Sequence, residues 1–378
     1  MRPSGVLRRR ELLALSAVGA LTACGRSAGG SPGESPAWPG ELTVLTGGWR
    51  ELPATPVSPR RAPTLTWTGT ELLVTGGVGR EVGPPVSCPP GALCVPPETE
   101  PLDGSGAFDP VSRTWRRLTG GNVFHHGPAW TGRLLTDGGT WFDPATDQTG
   151  RAPENGLLVY APASWSGTEV LCVGTDGSGQ PVPHTLWAWD PSTGATRTSR
   201  VPGPDSGETC HLAWAGGELL VESTLVPAGG DVTPVHAYDP QADRWRPTAL
   251  AASAPGSTPL GSWDGSRLVR LRGSSQDGFP DDVRQLDLVD PQDGSSSAVE
   301  VPTALTTGGW TPQVVVGPGR VAVGLGGRFA VLDGETWTAL PELPDVEATT
   351  IPTAAWAGER LVVWDDAMHR TGWSFEMA

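Results

Sequence analysis

A short apolar run ending in tryptophan, a glycine turn and a second apolar run recur along most of the chain. The copies are Trp67-Thr-Gly-Thr-Glu-Leu-Leu-Val, Trp130-Thr-Gly-Arg-Leu-Leu, Trp165-Ser-Gly-Thr-Glu-Val-Leu and Trp214-Ala-Gly-Gly-Glu-Leu-Leu-Val. Trp263-Asp-Gly-Ser-Arg-Leu-Val, Val316-Gly-Pro-Gly-Arg-Val-Ala-Val and Trp356-Ala-Gly-Glu-Arg-Leu-Val-Val complete the series. Two such runs joined by a glycine turn predict a β-hairpin. Each hairpin is followed by an apolar residue, Asp and usually Pro: Phe108-Asp109-Pro110, Phe142-Asp143-Pro144, Trp189-Asp190-Pro191, Tyr238-Asp239-Pro240, Val289-Asp290-Pro291 and Leu332-Asp333-Gly334. Proline presets φ and the aspartate side chain accepts bonds from nearby amides, so this element predicts a turn between a third strand and a fourth.

The anchors recur on average roughly every 48 residues, a period that marks a repeat architecture. Four strands per unit and seven units predict an all-β, seven-bladed β-propeller, with six or eight blades left open. The last unit lacks a fourth strand after Trp356. Gly47-Gly48-Trp49-Arg50-Glu51-Leu52 resembles the fourth-strand segment Thr114-Trp115-Arg116-Arg117-Leu118. The N-terminal strand is therefore expected to complete the last blade and close the ring, which removes free sheet ends.

The repeat resembles the kelch family. Gly76-Gly77, Gly138-Gly139 and Gly326-Gly327 match its glycine doublet, and Phe108 to Trp115 and Tyr238 to Trp245 match its aromatic-to-tryptophan offset. Trp189 leads instead to Thr196, and Leu332 lies closer to Trp337 than the family pattern requires. The resemblance covers 41–378 and implies the propeller fold. Galactose oxidase and related copper enzymes contain such propellers, but that family needs two Tyr and two His at the metal. Here Tyr238 occupies the structural Asp-Pro slot and leaves only Tyr160, so no copper, other metal or organic cofactor is expected.

The first residues carry a different signal. Arg8, Arg9 and Arg10 precede an apolar stretch from Leu12 to Ala20, too short for a stable membrane-spanning helix. Leu21-Thr22-Ala23-Cys24 resembles the lipobox of bacterial lipoproteins, which implies lipidation at Cys24. Arg9-Arg10-Glu11-Leu12-Leu13 resembles a twin-arginine export motif, with the general secretory route as the alternative. The expected organisation is a leader over 1–23, a flexible Gly/Ser/Pro tether over 24–40 and the propeller over 41–378.

Composition narrows the partners. The net charge is −15, which disfavours phosphate backbones and anionic lipid surfaces. No nucleic acid is expected, and the membrane is reached through the lipid alone. All 26 basic residues are arginine, a bias of GC-rich coding sequence.

Antiparallel order places both kinds of short turn at one end of the ring and the variable connections at the other, where binding residues are expected. Arg60, His125, His126, Tyr160, His211 and Trp310 are candidate ligand-binding residues at the mouth of the funnel, with strand capping as the alternative role. Cys88 and Cys94 are expected to form a local disulfide, with a metal site as rival. Cys172 and Cys210 either pair or stay as buried thiols. No catalytic acid and base pair is recognisable. The expectation is a monomeric, lipid-anchored protein on the extracytoplasmic face, binding an envelope protein or glycan without catalysis. A kelch-type carbohydrate-active enzyme, such as a sugar epimerase, is the alternative.

Overall fold

The computed structural model describes residues 42–82, 98–122, 124, 127–154, 158–159, 162–175, 184–203, 210–223, 234–250, 260–274, 282–306, 312–344, 353–364 and 372–377. The expected leader and tether, with Cys24, lie outside the described residues.

Seven separate sheets, antiparallel except for one added strand, follow one another along the described residues. Blade 1 runs Thr64–Trp67, Leu72–Thr75, Ser105–Asp109 and Thr114–Leu118 from the axis outwards. Blades 2, 4, 5 and 6 repeat this order with inner strands at Ala129–Trp130, Cys210–Ala215, Ser262–Trp263 and Gln313–Gly317. In blade 3 the inner position is filled in two pieces, Leu158–Val159 and Ser164–Trp165, which pair in succession with Val170–Thr175. Blade 7 contributes Thr353–Ala357, Arg360–Trp364 and Trp373–Glu376, and its outer strand is Arg50–Glu51 from the N-terminal segment. The expected closure is thus formed, with Arg50 opposite Ser374 and Glu51 opposite Trp373. One further strand was not anticipated. Thr43–Val44 adds in parallel to the outer strand of blade 6, giving that blade a fifth strand. The only helical element among the described residues is one 3₁₀ turn, Thr303–Leu305.

The packing explains the sequence pattern. Second strands such as Leu72–Thr75 and Val170–Thr175 are buried at every position, because each blade is covered on both faces by its neighbours. They therefore read as continuous apolar runs rather than alternating ones. Outer strands such as Thr196–Arg200 meet solvent and are mainly polar. Seven apolar clusters fill the seven seams, one between each pair of adjacent blades.

Tryptophan joins these seams twice over, by area and by its N–H. Trp115 donates to Pro53 O, Trp245 to Ser199 Oγ, Trp337 to Glu300 O and Trp49 to Pro341 O, at 2.6–2.9 Å. Each lies on an outer strand or, for Trp49, immediately before one, and bonds back to the preceding blade. Trp130 reaches Thr68 O and Trp356 reaches Val315 O from inner strands in the same direction. The aromatic-to-tryptophan offset is a cross-strand pair: Phe108 lies opposite Trp115 and Tyr238 opposite Trp245, each with ring centroids 4.9 Å apart.

The Asp-Pro turns share one geometry. Asp109 accepts from the Val111 and Ser112 amides, Asp143 from Ala145 and Thr146, and Asp239 from Gln241 and Ala242. The fourth residue after the aspartate takes positive φ: Gly194 and Gly294, but also Arg113, Asp147 and Asp243. Left-handed backbone costs a non-glycine residue about 1–2 kcal/mol. These three offset it with contacts to the preceding blade. Arg113 donates to Glu51 O, Asp147 accepts from the Thr119 and Gly120 amides, and Asp243 accepts from Arg197. Blade 6 replaces the motif by a tighter turn with Gly334 at φ 62, which is why Leu332 lies opposite Trp337 despite the shortened spacing.

Candidate binding face

The two ends of the ring differ as antiparallel connection requires. One end carries the hairpin and Asp turns, tied by ion pairs between the turn and the outer strand of the same blade. Glu71 pairs with Arg116 at 2.7 Å, Glu169 with Arg197 at 2.5 Å, and Glu218 with Arg246. These pairs are repeated in position and partly exposed, so they organise the turns and add little stability individually. The other end carries connections of uneven length. Thr75 leads to Ser105 in blade 1, whereas Thr136 leads to Thr140 in blade 2 and Leu325 to Arg328 in blade 6.

Arg60 approaches this second end from the segment before the first inner strand, but it is not a rim residue. Its side chain is 0% exposed. The guanidinium donates to Ser58 O, Gly76 O, Gly104 O and Asn122 Oδ1 at 2.8–3.2 Å, and Asp103 lies 3.8 Å away. Burial lowers its pKa and Asp103 opposes the shift. Asn122 completes the network by accepting from the Gly76 amide and Ser105 Oγ and donating to Gly104 O. Trp364 of the last blade donates to Arg60 O at 3.0 Å. The residue expected to meet ligand instead holds blades 7, 1 and 2 together. Strand-end carbonyls with no ladder partner need a donor here, and an arginine fork satisfies several at once.

His211 does sit at the inner rim. It is half-buried on the inner strand of blade 4, directly opposite Glu222. Register partners share a sheet face, so both are directed into the seam with blade 5. Arg270 and Asp287 face them from that blade, and Arg272 pairs with Asp287 at 2.5 Å further out. Leu260 joins the two sides: its amide donates to Glu222 Oε2 at 3.0 Å and its carbonyl accepts from Arg270 Nε at 3.2 Å. It does so with φ 49, a strained conformation fixed by its surroundings. Burial lowers the pKa of His211, with the Glu222 charge pulling the other way, and burial likewise lowers Arg270 against Glu222 and Asp287. This seam therefore combines an imidazole whose pKa is lowered by burial with the buried charges of Glu222 and Arg270 and the partly exposed Asp287. It can present a hydrogen-bond donor and acceptor to a ligand at fixed geometry.

Cys172 and Cys210 are free, buried thiols. They cannot meet because they lie in different seams, Cys172 between blades 2 and 3 and Cys210 between blades 3 and 4. Burial pushes both up to about 12, which leaves them protonated and unreactive. His125, His126, Tyr160, Trp310, Cys88 and Cys94 lie outside the described residues. Glu222, Arg270 and Asn122 were not picked out from sequence. The first two had a visible signal, since Glu222 ends the apolar run Leu219-Leu220-Val221 and Arg270 breaks the run Leu268-Val269…Leu271 in strands Glu218–Ser223 and Leu268–Ser274.

No protein-family model matches the chain, and no curated protein sequence matches it. Among solved structures it is similar to the β-propeller domain of the Trilobed protease from Pyrococcus furiosus, described as having an open velcro topology. The identity there is 11%, the TM-score 0.45, and the match covers 72% of this chain and 86% of that one. It is also similar to the Pyrococcus horikoshii acylaminoacyl peptidase, with 11% identity, a TM-score of 0.44 and coverage of 72% of this chain and 47% of that one. A prolyl endopeptidase structure gives 12% identity, a TM-score of 0.46 and coverage of 84% and 50%. This chain thus spans about half the length of those two peptidases, and the likeness is one of fold.

Proposed function

We propose that the chain is an extracytoplasmic lipoprotein, anchored through Cys24, whose propeller binds an envelope protein or glycan at the loop-bearing end without chemical turnover. The observation that carries the binding reading is the asymmetry of the ring. One end is closed by short turns whose side chains are consumed in capping and ion pairs. The other combines connections of uneven length with the His211, Glu222 and Arg270 cluster. Variable segments on a rigid frame are the usual place for recognition. The anchoring reading rests on the Leu21-Thr22-Ala23-Cys24 resemblance and on a net charge of −15, which gives no electrostatic route to an anionic membrane.

Two experiments test it. Expression with an alkyne-tagged fatty acid should label the full chain, and Cys24→Ser should remain unlabelled. Label retained in Cys24→Ser would remove the lipid anchor from the account. The full chain should bind in a glycan array or against defined envelope proteins, and replacing 83–97 by a Gly/Ser linker should weaken that binding. Val111→Ser, on an exposed turn at the opposite end, should leave it intact. Binding lost in Val111→Ser and kept in the loop replacement would invert the assignment. Sugar turnover that disappears in His211→Ala would replace binding by catalysis.

A further inference from the structure

The N-terminal segment does two different jobs within a few residues. Arg50–Glu51 forms the outer strand of blade 7, and no other outer strand pairs there among the described residues. Its neighbours are deeply engaged. Trp49 donates to Pro341 O at 2.6 Å and packs against Phe329 and Phe375 at 5.9 and 5.3 Å between centroids. Leu52 is 3% exposed and its amide donates to Gly372 O at 2.9 Å. Glu51 O accepts from Arg113 and Pro53 O from Trp115, so blade 1 also clasps this stretch.

Thr43–Val44 is held quite differently. Blade 6 already has four strands of its own, and Thr43–Val44 lies outside them as a fifth, in the parallel orientation that pairs slightly less well. Both residues are exposed, Val44 at 44%. The remaining attachments are the Leu45 amide bonded to Ala339 O at 2.9 Å and the packing of Leu42 and Leu45 against neighbouring apolar clusters. Gly47 and Gly48 separate the two strands, and Gly47 has φ 144. A side chain at Gly47 would meet the Phe375 ring at 3.2 Å. The link between the two strands is thus a pair of exposed glycines, with Gly47 in the positive-φ region that favours glycine.

We propose that Thr43–Val44 is a releasable strap: it detaches from blade 6 while Arg50–Glu51 keeps the ring closed, and so changes where the preceding chain leaves the propeller. Release frees residues 42–48, which lengthens the chain leading to any anchor by on the order of 20 Å at about 3.3–3.6 Å per residue. Load applied from the N-terminal side then meets the strap first and the ring closure second. The inference is independent of whether Cys24 is lipidated, because it concerns only the order in which the two strands open.

Amide hydrogen exchange on the full chain tests it. The Leu45 amide should exchange at least 100-fold faster than the Leu52 amide, since the first needs only strap release and the second needs the ring to open. A disulfide between register partners, Thr43→Cys with Thr338→Cys, should slow Leu45 to within tenfold of Leu52. As a second measurement that does not depend on crosslinking, Thr43, Val44 and Leu45 are replaced by Gly-Ser-Gly. That variant should keep the native tryptophan emission and unfold cooperatively, whereas replacing Trp49 to Leu52 in the same way should abolish cooperative unfolding. Equal exchange at Leu45 and Leu52, or loss of the native fold in the Gly-Ser-Gly variant, would overturn the proposal.

Discussion

Substituting Arg60 by methionine keeps the volume and removes the charged fork. Four acceptors lose a donor, Ser58 O, Gly76 O, Gly104 O and Asn122 Oδ1, and of these Gly104 O and Asn122 Oδ1 keep other donors. Hydrogen bonds to a charged group contribute about 1.5–3 kcal/mol each, but the desolvation of a fully buried guanidinium offsets much of that sum. Leaving a buried acceptor without a donor costs about 1–3 kcal/mol, and over the acceptors that Arg60 serves the expected loss for Arg60→Met is about 3–5 kcal/mol. Arg60→Lys keeps the charge but not the fork, and should lose about 2–4 kcal/mol because a single ammonium cannot reach both the Gly76 and Gly104 carbonyls. Urea unfolding followed by tryptophan fluorescence reads this directly, as a midpoint shift at unchanged slope. A loss below about 1 kcal/mol in Arg60→Met would refute the burial argument. It would return Arg60 to the solvent-facing rim that its sequence position suggested.

The strained turns distinguish two glycines in the same motif position. Gly194→Ala has no atom near the added methyl and should cost only the left-handed backbone, about 1–2 kcal/mol, whereas Gly294→Ala also places Cβ 2.5 Å from Ala249 O and should cost visibly more in the same urea assay. Trp337→Phe removes the 2.7 Å bond to Glu300 O across a seam and should lose about 1–3 kcal/mol, read by thermal unfolding. Gly138→Ala should unfold far earlier, because its Cβ would lie 2.1 Å from Cys172 Sγ and its backbone has φ 86, which an alanine adopts only under strain. Acidification should weaken the fold in two stages. His211 and His236 are both lowered by burial, so the native state binds fewer protons than the unfolded chain and stability falls as pH drops below about 6.5. The turn carboxylates are also held low, Asp109 by Ser112 and Asp190 by Ser192, so the stability they contribute is present above about pH 4 and lost below it. Denaturant midpoints from pH 8 to pH 3 check both, and a His211→Gln variant with an unchanged profile between pH 7 and 5 would contradict the first stage.

How much of this was legible depended on whether the signal was periodic. Tryptophans and Asp turns recur because every blade must stack on the one before it, and a repeated requirement leaves a repeated residue. The same logic made the closing strand readable: Trp49-Arg50-Glu51-Leu52 carries the outer-strand pattern of Trp115. Thr43–Val44 carries none, because a two-residue fifth strand with both side chains in solvent places no demand on residue type. Arg60 misled for a related reason. An arginine between prolines and a strand reads as exposed, and nothing local reveals two carbonyls from distant strand ends, Gly76 O and Gly104 O, waiting for it. Glu222 and Arg270 were passed over because they fell inside apolar second strands, where their mutual compensation across a seam is invisible until the ring is assembled. The cysteines failed by parity. Side chains alternate along a strand, so Leu171 and Val173 share the seam of Cys210 whereas Cys172 faces the one before it.

Ring closure by the N-terminal strand is the premise on which the fold and the strap both depend, and a single crosslink interrogates it. Arg50→Cys with Ser374→Cys places two thiols on register partners of an antiparallel pair, at the roughly 4.5–5.5 Å Cα separation that a disulfide accepts. Mild oxidation of the native protein, read by peptide mapping, should join 50 to 374 within one chain and should not do so in urea. Crosslinks formed only between molecules, or none in the native state, would mean that the seventh blade is not closed by Arg50–Glu51.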